Sequence, residues 1–260
     1  MKKYLAFLKL SFQEELFYRT NFFFYFLDKS LWFLVELLFW SVALFGNRAV
    51  GGYDYRGIFQ YLLIIYLIRI LAVTGVDFWL SNSIQTGSIS KRLLQPFSMF
   101  WGMFFHQYGR KAYRLIYVSV ALTGVSLIAD FQINFTSIII FSLTIINAVL
   151  LSYLIRYLLG ILAFWLINIT SVLWLFHNTI DFLGGGWLPV SLFPDWGGGI
   201  LKALPFYLTL GFPADFFQGK IGLPLTVQLI LMQLTWISLL FVLVHFFWNK
   251  GIKEYEAVGN

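Results

Sequence analysis

Long apolar stretches, separated by short polar ones, run along most of the chain. Six of them reach the length of about 17–25 residues with which a helix crosses the hydrocarbon core of a bilayer. They are Phe22–Phe45, Ile58–Leu80, Met103–Ile128, Ser137–Ile155, Tyr157–Ile180 and Thr226–Trp248. Only Arg156 separates the fourth stretch from the fifth, which predicts a tight hairpin at that residue. The pattern therefore predicts an all-α integral membrane protein with six transmembrane helices.

The segment before the first apolar stretch has a different pattern. Leu5, Leu8, Phe12 and Leu16 recur at helical spacing. Elsewhere on the helical wheel lie Lys2, Lys9, Gln13 and Glu14. This pattern predicts an amphipathic helix over residues 1–21 that lies in the inner membrane interface. A plain helical extension of the first span is the alternative.

The composition agrees with a membrane protein and excludes other classes. Hydrophobic residues make up 60% of the chain and charged residues 12%, whereas a soluble domain carries about 25% charged residues. Disorder requires the opposite composition. The absence of cysteine excludes disulfides, thiolate metal sites and a cysteine nucleophile. We treat residues 1–260 as a single transmembrane domain.

The distribution of Lys and Arg predicts the orientation. If the N-terminus is cytoplasmic, twelve basic residues fall on the inner side and four on the outer side. The inner residues are Lys2, Lys3, Lys9, Arg19, Lys91, Arg92, Arg110, Lys111, Arg114, Arg156, Lys250 and Lys253, and the outer ones are Arg48, Arg56, Lys202 and Lys220. This bias predicts a cell-membrane protein with both termini in the cytoplasm. The net charge of +6 then reflects topology and contact with membrane lipid, not a nucleic-acid surface.

The inner loop Ser81–Pro96 has the pattern of a short amphipathic helix. Its apolar residues alternate with polar ones, Gly87 permits a turn, and Pro96 ends the helix. Such a helix can dock into a groove on another protein. The alternative is an interfacial loop whose basic residues only enforce topology.

The outer segment Asp181–Pro224 combines chain breakers with an apolar composition that does not suit a solvated loop. Short re-entrant helices fit both properties, because irregular backbone at membrane depth must be covered by protein or line a cavity. The segment is predicted to gate a pathway, and a rigid lid is the alternative. The candidate gate residues are Gly184, Gly185, Gly186, Leu188, Pro189, Phe193, Pro194, Leu204 and Pro205.

Two ionisable residues fall inside the predicted spans at similar depth. Glu36 and Arg69 lie roughly 15–18 Å below the outer ends of the first and second spans, counted at about 1.5 Å per residue. Charges at such depth usually pair, which predicts a Glu36–Arg69 ion pair. A structural clamp and a place on a substrate path both remain open for it. Asp77, near the inner end of the second span, is expected to face water.

Few signs of catalysis are present. The sequence contains no phosphate-binding loop of the form GxxxxGK followed by Ser or Thr, and no cluster with metal-ligand spacing. An intramembrane serine protease using Ser126 with a histidine is an alternative that the spacing disfavours. Ser126 and His245 fall at opposite ends of their spans, and Leu127 stands where a glycine is expected beside such a serine. His177 is closer to Ser126 in depth.

Three local patterns resemble the permease subunits of type-2 ABC exporters, over essentially the whole chain. They are Ile84–Pro96 (IQTGSISKRLLQP), the outer segment Leu183–Pro189 (LGGGWLP) with Phe193-Pro194 and Leu204-Pro205-Phe206, and the tail Lys250–Gly259 (KGIKEYEAVG). The sequence is similar to a branch of about this length whose permeases often occur as two different subunits beside one ATPase gene. Gln95 stands where many relatives have Arg.

The resemblance implies ATP-driven export. Two permeases, the second a paralogue or another copy of this chain, would form the pathway, and cytoplasmic ATPase subunits would bind ATP and Mg. This chain would bind no cofactor and would not be an enzyme. The residues that would couple it to the ATPase are Ile84, Gln85, Gly87, Ile89, Lys91, Arg92, Leu93, Leu94 and Pro96. A membrane scaffold or assembly subunit that transports nothing is the alternative from another class.

Overall fold

The computed structural model describes residues 2–17, 19–45, 49–95, 98–112, 114–128 and 135–255. Within these ranges, every regular element is a helix. Arg48, Pro96 and the tail after Tyr255 lie outside them. The helices are α1 Lys2–Phe17, α2 Arg19–Ala43, α3 Tyr55–Ala72, α4 Val76–Gln85, α5 Ile89–Leu93, α6 Met99–Gly109, α7 Arg114–Ile128, α8 Phe135–Ile161, α9 Thr170–Leu183, α10 Asp195–Ala203, α11 Pro205–Thr209, α12 Gly211–Phe217 and α13 Leu223–Glu254.

Three helical segments in the described part of the chain are long and apolar enough to cross a membrane. They are Tyr55–Gln85, Phe135–Phe164 and Leu223–Glu254, of 31, 30 and 32 residues. They contain the predicted second, fourth and sixth spans. The prediction of an all-helical membrane protein is confirmed at this level.

The helix α8 occupies the centre of the bundle. It packs against α13, α4, α3, α11 and α12. Its second half is buried almost continuously, from Leu151 to Tyr157. Asn147 and Gln233 hold α8 to α13 through a bond of 3.3 Å, and the Gln233 amide also donates to the Leu208 carbonyl of α11 at 2.9 Å. This buried polar contact fixes three helices where water cannot compete.

The predicted second span is broken, contrary to the continuous helix expected over Ile58–Leu80. Helix α3 ends at Ala72, Val73 is extended, and α4 begins at Val76. A helix end leaves carbonyl groups without intrahelical partners, and inside a bundle these need donors.

Two side chains from the end of α6 and the turn after it supply those donors. The Tyr108 hydroxyl donates to the Ala72 carbonyl at 3.2 Å. The Lys111 ammonium donates to the Leu71 carbonyl at 3.3 Å and also contacts the Val73 carbonyl. A cation at the C-terminus of a helix also complements the helix dipole. Lys111 is 8% exposed, and its location on the inner side stays a prediction.

Two other predicted boundaries are also wrong. The third span was predicted to be one helix, but α6 ends at Gly109 and α7 begins only at Arg114. The hairpin predicted at Arg156 is absent, because α8 continues through this residue to Ile161. The chain turns instead over residues 165–169, before α9.

The first helix packs on α6. A Cβ atom on Gly109 would lie 2.7 Å from the Leu8 carbonyl oxygen, so only glycine permits this approach. This contact places α1 against α6. The location of α1 in the membrane interface stays a prediction.

The bundle has two distinct ends. At the first, which we call the α5 end, the Gln85 amide donates to the Ile167 carbonyl at 2.6 Å and the hydroxyls of Ser90 and Tyr255 lie 3.3 Å apart. These contacts gather α5, the turn 165–169 and the end of α13. The second, which we call the α10 end, contains the glycine-rich residues 184–186 and helices α10–α12.

Candidate functional site

The predicted coupling segment Ser81–Gln95 consists of the end of α4, a turn at Gly87 and the short helix α5. Gly87 has φ +74°, a conformation that L side chains rarely adopt, and it reverses the chain between the two helices. Ile84 and Ile89 are 5% and 0% exposed and belong to the main core. They therefore fix the segment to the bundle and present little surface to a partner.

The same segment exposes a separate set of side chains. Leu94 is 87% exposed and Leu93 37%, and Lys91 and Gln85 are exposed as well. The Arg92 guanidinium lies 4.4 Å from the centre of the Trp79 ring, and partial burial lowers its pKa below the ordinary value. The surface thus combines two apolar side chains with a cation, and Pro96 lies outside the described residues.

The predicted pair of intramembrane charges forms part of a larger cluster, which we call the Arg69 cluster. Arg69 Nη1 lies 3.5 Å from Glu36 Oε1, and Arg69 Nη2 lies 3.5 Å from Asp181 Oδ2. Nη2 also donates to the Gly186 carbonyl at 3.1 Å. One cation therefore joins α2, α3, α9 and the glycine-rich turn. Asp181 and Gly186 were not predicted as partners of Arg69.

The glycine-rich turn is held by side chains from the first two long helices. The Tyr61 hydroxyl donates to the Gly185 carbonyl at 2.7 Å, Arg69 donates to the next carbonyl, and the Trp40 indole donates to the Trp187 carbonyl at 3.3 Å. Three successive carbonyls of an irregular segment are thereby satisfied, as burial away from water requires.

Glycine is required at this turn for two reasons. Gly185 has φ +84°. A Cβ atom on Gly184 would lie 2.8 Å from the Phe206 carbonyl oxygen, and the Gly211 amide donates to the Gly184 carbonyl at 3.0 Å. The turn therefore fits closely against α11 and α12.

The remaining candidate gate residues surround the turn with different degrees of exposure. Pro189 and Pro205 are buried, Leu188, Phe193 and Leu204 are partly buried, and Pro194 is exposed. The Phe193 ring packs edge-on against Phe182 of α9 at 5.6 Å between ring centres. The turn and α10 thus lie directly beyond the end of α9.

A second charge cluster, which we call the Arg156 cluster, lies between α4, α8 and α9. Arg156 Nη1 is 3.6 Å from Asp77 Oδ2 and 2.6 Å from His177 Nε2, and the same His177 nitrogen contacts Asp77 Oδ2. The side chains of Asp77 and Arg156 are 0% and 3% exposed. The expectation that Asp77 faces water is therefore wrong, and so is the placement of Arg156 in an inner loop.

The two clusters lie along one seam between the broken helix α3–α4 and α9. Arg69 precedes the break and Asp77 follows it. Their partners on α9, Asp181 and His177, are four residues apart and so lie on one face of that helix. The sequence offered one signal for the Arg156 cluster: no Gly, Pro, Asn or Asp stands directly beside Arg156 to make a turn.

The described part of the structure gives no support to catalysis at a serine. His177 is engaged by Asp77 and Arg156, and His245 lies 3.0 Å from the Asn249 amide. The Ser126 side chain lies outside the described residues. Within the described ranges, no three His, Asp or Glu side chains are grouped so that they could hold a metal ion.

The family model described as ABC-2 family transporter protein matches residues 30–259, which include both charge clusters, the predicted coupling segment and the glycine-rich turn. No curated protein matches the sequence. The match covers most of the chain and confirms the predicted resemblance to a type-2 ABC permease subunit. The chain belongs to the ABC-2 transporter family.

Proposed function

We propose that the chain is the membrane-spanning permease subunit of an ABC exporter and that a separate cytoplasmic ATPase docks on Ser81–Gln95. ATP and Mg bind to that ATPase, and a second permease, a paralogue or another copy of this chain, completes the pathway. The proposal includes six spans, with α6–α7 and α9 as parts of the third and fifth, and both termini in the cytoplasm of the cell membrane.

The observation that carries the proposal is the division of the coupling segment into a buried and an exposed side. Ile84 and Ile89 fix it to the core, while Leu93 and Leu94 remain available to a partner. A docked ATPase can therefore push on α5 without detaching it, because the segment is continuous with the core that it must move. Membership in the ABC-2 family supports an ATPase as that partner.

The route from the coupling segment to the outer turn follows from the polar seam. A movement of α5 is passed to α4, whose Asp77 contacts Arg156 of α8 and His177 of α9. The break before Val76 lets α4 change its angle against α3 with no loss of a continuous helical ladder. Helix α9 leads directly to the glycine-rich turn, which we propose as the outer gate. Work of this kind is conformational and needs no catalytic residue in the chain.

Docking is tested by co-purification. The protein is co-expressed with the ABC ATPase of its own gene neighbourhood, and Leu93→Asp with Leu94→Asp is expected to release the ATPase while the permease still inserts. The control is Leu223→Asp with Leu225→Asp, which changes two side chains that are 61% and 45% exposed at the start of α13, away from the α5 end. Retention of the ATPase by the first variant, or equal loss in both, would contradict the docking site.

A transporting complex is distinguished from a scaffold by its response to the coupling turn. Gly87→Val forces a β-branched side chain into a left-handed conformation and should distort the segment between α4 and α5. We expect the complex to keep its ATPase but lose ATP-dependent changes in the outer turn, measured by the reactivity of a single cysteine at position 188. A scaffold would show no ATP-dependent change even in the parent protein.

A further inference from the structure

A groove opens at the α5 end between α13, α5 and the start of α6. Its volume is about 370 Å³, and it continues along α13 into a second groove of about 600 Å³. Phe241, His245 and Asn249 line both parts. The two parts therefore form one continuous groove, which we call the channel. The walls are largely aromatic and aliphatic, with Phe100, Trp101, Tyr157, Val244 and Trp248.

Basic side chains border this apolar channel. Arg92 lines the first part, and Lys250 and Lys253 line the second. Among the described residues, none of the three forms an ion pair with a carboxylate. The nearest carboxylate along the chain, Glu254, instead accepts a hydrogen bond from the Trp165 indole. The channel therefore joins an apolar wall to three positive charges that no described acid neutralises.

The dimensions of the channel match one leaflet of a bilayer. Phe241 and Lys253 are twelve residues apart on α13, a rise of about 18 Å at 1.5 Å per residue. Half of a hydrocarbon core of about 30 Å is about 15 Å. In the orientation proposed above, the basic residues thus lie at the cytoplasmic headgroup level and the aromatic wall lies in the acyl region.

We propose that this channel binds an anionic phospholipid of the cytoplasmic leaflet, with its phosphate near Arg92, Lys250 and Lys253 and an acyl chain along the aromatic wall. Basic pockets between helices on the cytoplasmic side of a membrane attract anionic headgroups. A second permease copy packed with its own channel against this one is the less suitable occupant, because the described lining of the channel contains basic side chains and no acid to pair with them. The proposal shares the orientation of the proposed function, and because Arg92 belongs to the coupling segment, the bound lipid touches the element proposed to receive the ATPase.

The binding is tested on the purified full chain by native mass spectrometry with dioleoyl phosphatidylglycerol and dioleoyl phosphatidylcholine, which differ only in the headgroup. We expect the protein to retain phosphatidylglycerol preferentially. In the variant Arg92→Gln/Lys250→Gln/Lys253→Gln, the ratio of retained phosphatidylglycerol to phosphatidylcholine should fall by at least about tenfold. Each basic residue near an anionic headgroup raises the affinity by about fivefold. The control Arg56→Gln/Lys202→Gln/Lys220→Gln removes the same number of positive charges from the α10 end of the bundle and should retain the preference.

The possible outcomes separate the occupants and are independent of any ATPase. Equal retention of the two lipids by the parent protein, or equal loss in both triple variants, would overturn the proposal. Displacement of the lipid by millimolar inorganic phosphate would assign the site to a free anion. A change from dimer to monomer in the first triple variant, without loss of lipid, would assign the channel to a subunit interface. A second variant, Val244→Trp, narrows the acyl part and should reduce retention of both lipids while leaving the headgroup preference in place.

Discussion

The Arg69 and Arg156 clusters each use one arginine to connect α9 with other helices, yet they differ in burial and in the number of acids. The Arg69 cluster has two carboxylates, and its charged side chains are 18–23% exposed. The Arg156 cluster has one carboxylate and a histidine, and its ion pair is almost completely buried. We therefore expect the Arg156 cluster, the inner one in the proposed orientation, to hold α4 firmly to α8 and α9. We expect the Arg69 cluster, the outer one in that orientation, to exchange partners near the glycine-rich turn.

The largest expected effect tests the firmness of the inner cluster. Asp77→Asn keeps the size of the side chain but leaves Arg156 as an uncompensated buried charge, and breaking a buried pair in this way costs about 3–5 kcal/mol of unfolding free energy. The measurement is unfolding in mixed micelles. Asp28→Asn is the control, because Asp28 pairs with Lys29 at 2.8 Å but is 53% exposed. A loss in Asp77→Asn no larger than in the control would show that the inner cluster is not a firm contact.

The next effect tests the exchange of partners in the outer cluster. Arg69→Gln leaves two carboxylates together and the Gly186 carbonyl without its donor, and we expect a loss of about 2–3 kcal/mol. Glu36→Gln should cost only about 1 kcal/mol, because Arg69 keeps Asp181 and Gly186. Unfolding of both variants in the same micelles gives the comparison. If Glu36→Gln costs as much as Arg69→Gln, the cluster behaves as a single pair with no alternative partner.

Asp181, the second carboxylate of the Arg69 cluster, limits how much stability an exchange of the Glu36 and Arg69 charges can restore. In the double variant Glu36→Arg/Arg69→Glu, the carboxylate at position 69 faces Asp181 and a carbonyl oxygen. We therefore expect the exchange to recover less than half of the loss caused by Arg69→Glu alone. Full recovery would mean that Asp181 does not approach position 69 in the membrane.

A smaller effect concerns the turn that the outer cluster supports. Tyr61→Phe removes the donor to the buried Gly185 carbonyl and should cost about 1 kcal/mol. Tyr153→Phe, which loses a bond of 2.8 Å to the Phe100 carbonyl away from the turn, is the matched control. Because the chain has no native cysteine, a single cysteine at position 188 reports the turn directly. The thiol at this position should react faster in Tyr61→Phe than in the parent protein, and its rate should not change in Tyr153→Phe. Equal rates in the two variants would show that Tyr61 does not hold the turn.

The sequence predicted the helical class of the fold and the contact between Glu36 and Arg69, because both residues lie on helices along which their positions can be counted from one end. It did not predict Asp181 as a partner of Arg69, because it placed Asp181 beyond the end of the predicted fifth span, whereas α9 continues through this residue to Leu183. It misplaced Arg156 because a hydropathy pattern treats an isolated charge as the end of a span. A buried ion pair interrupts the apolar pattern in the same way as a loop does.

The same limit applies to the break between α3 and α4. Its stretch of sequence, Ala72-Val-Thr-Gly-Val76, is apolar enough to continue a span, and only one glycine suggests an interruption. The side chains that donate hydrogen bonds to the carbonyl groups at the break, Tyr108 and Lys111, are more than thirty residues away in the sequence. Only the tertiary structure brings these two side chains to the carbonyl groups that lack intrahelical partners, and no local sequence pattern contains that information.

The smallest effect tests whether the two clusters act together through α9. Glu36 and His177 belong to different clusters and have no contact with each other among the described residues, so separate sites would give additive losses to within about 0.3–0.5 kcal/mol. If α9 transmits strain between the clusters, the double variant Glu36→Gln/His177→Gln should deviate from additivity by about 0.5–1 kcal/mol. The matched control is Glu36→Gln/Gln233→Leu, because Gln233 lies in the separate contact between α8, α11 and α13 and should add normally. Additive losses in both double variants would mean that the clusters are independent clamps, and α9 would then not connect α4 with the outer turn.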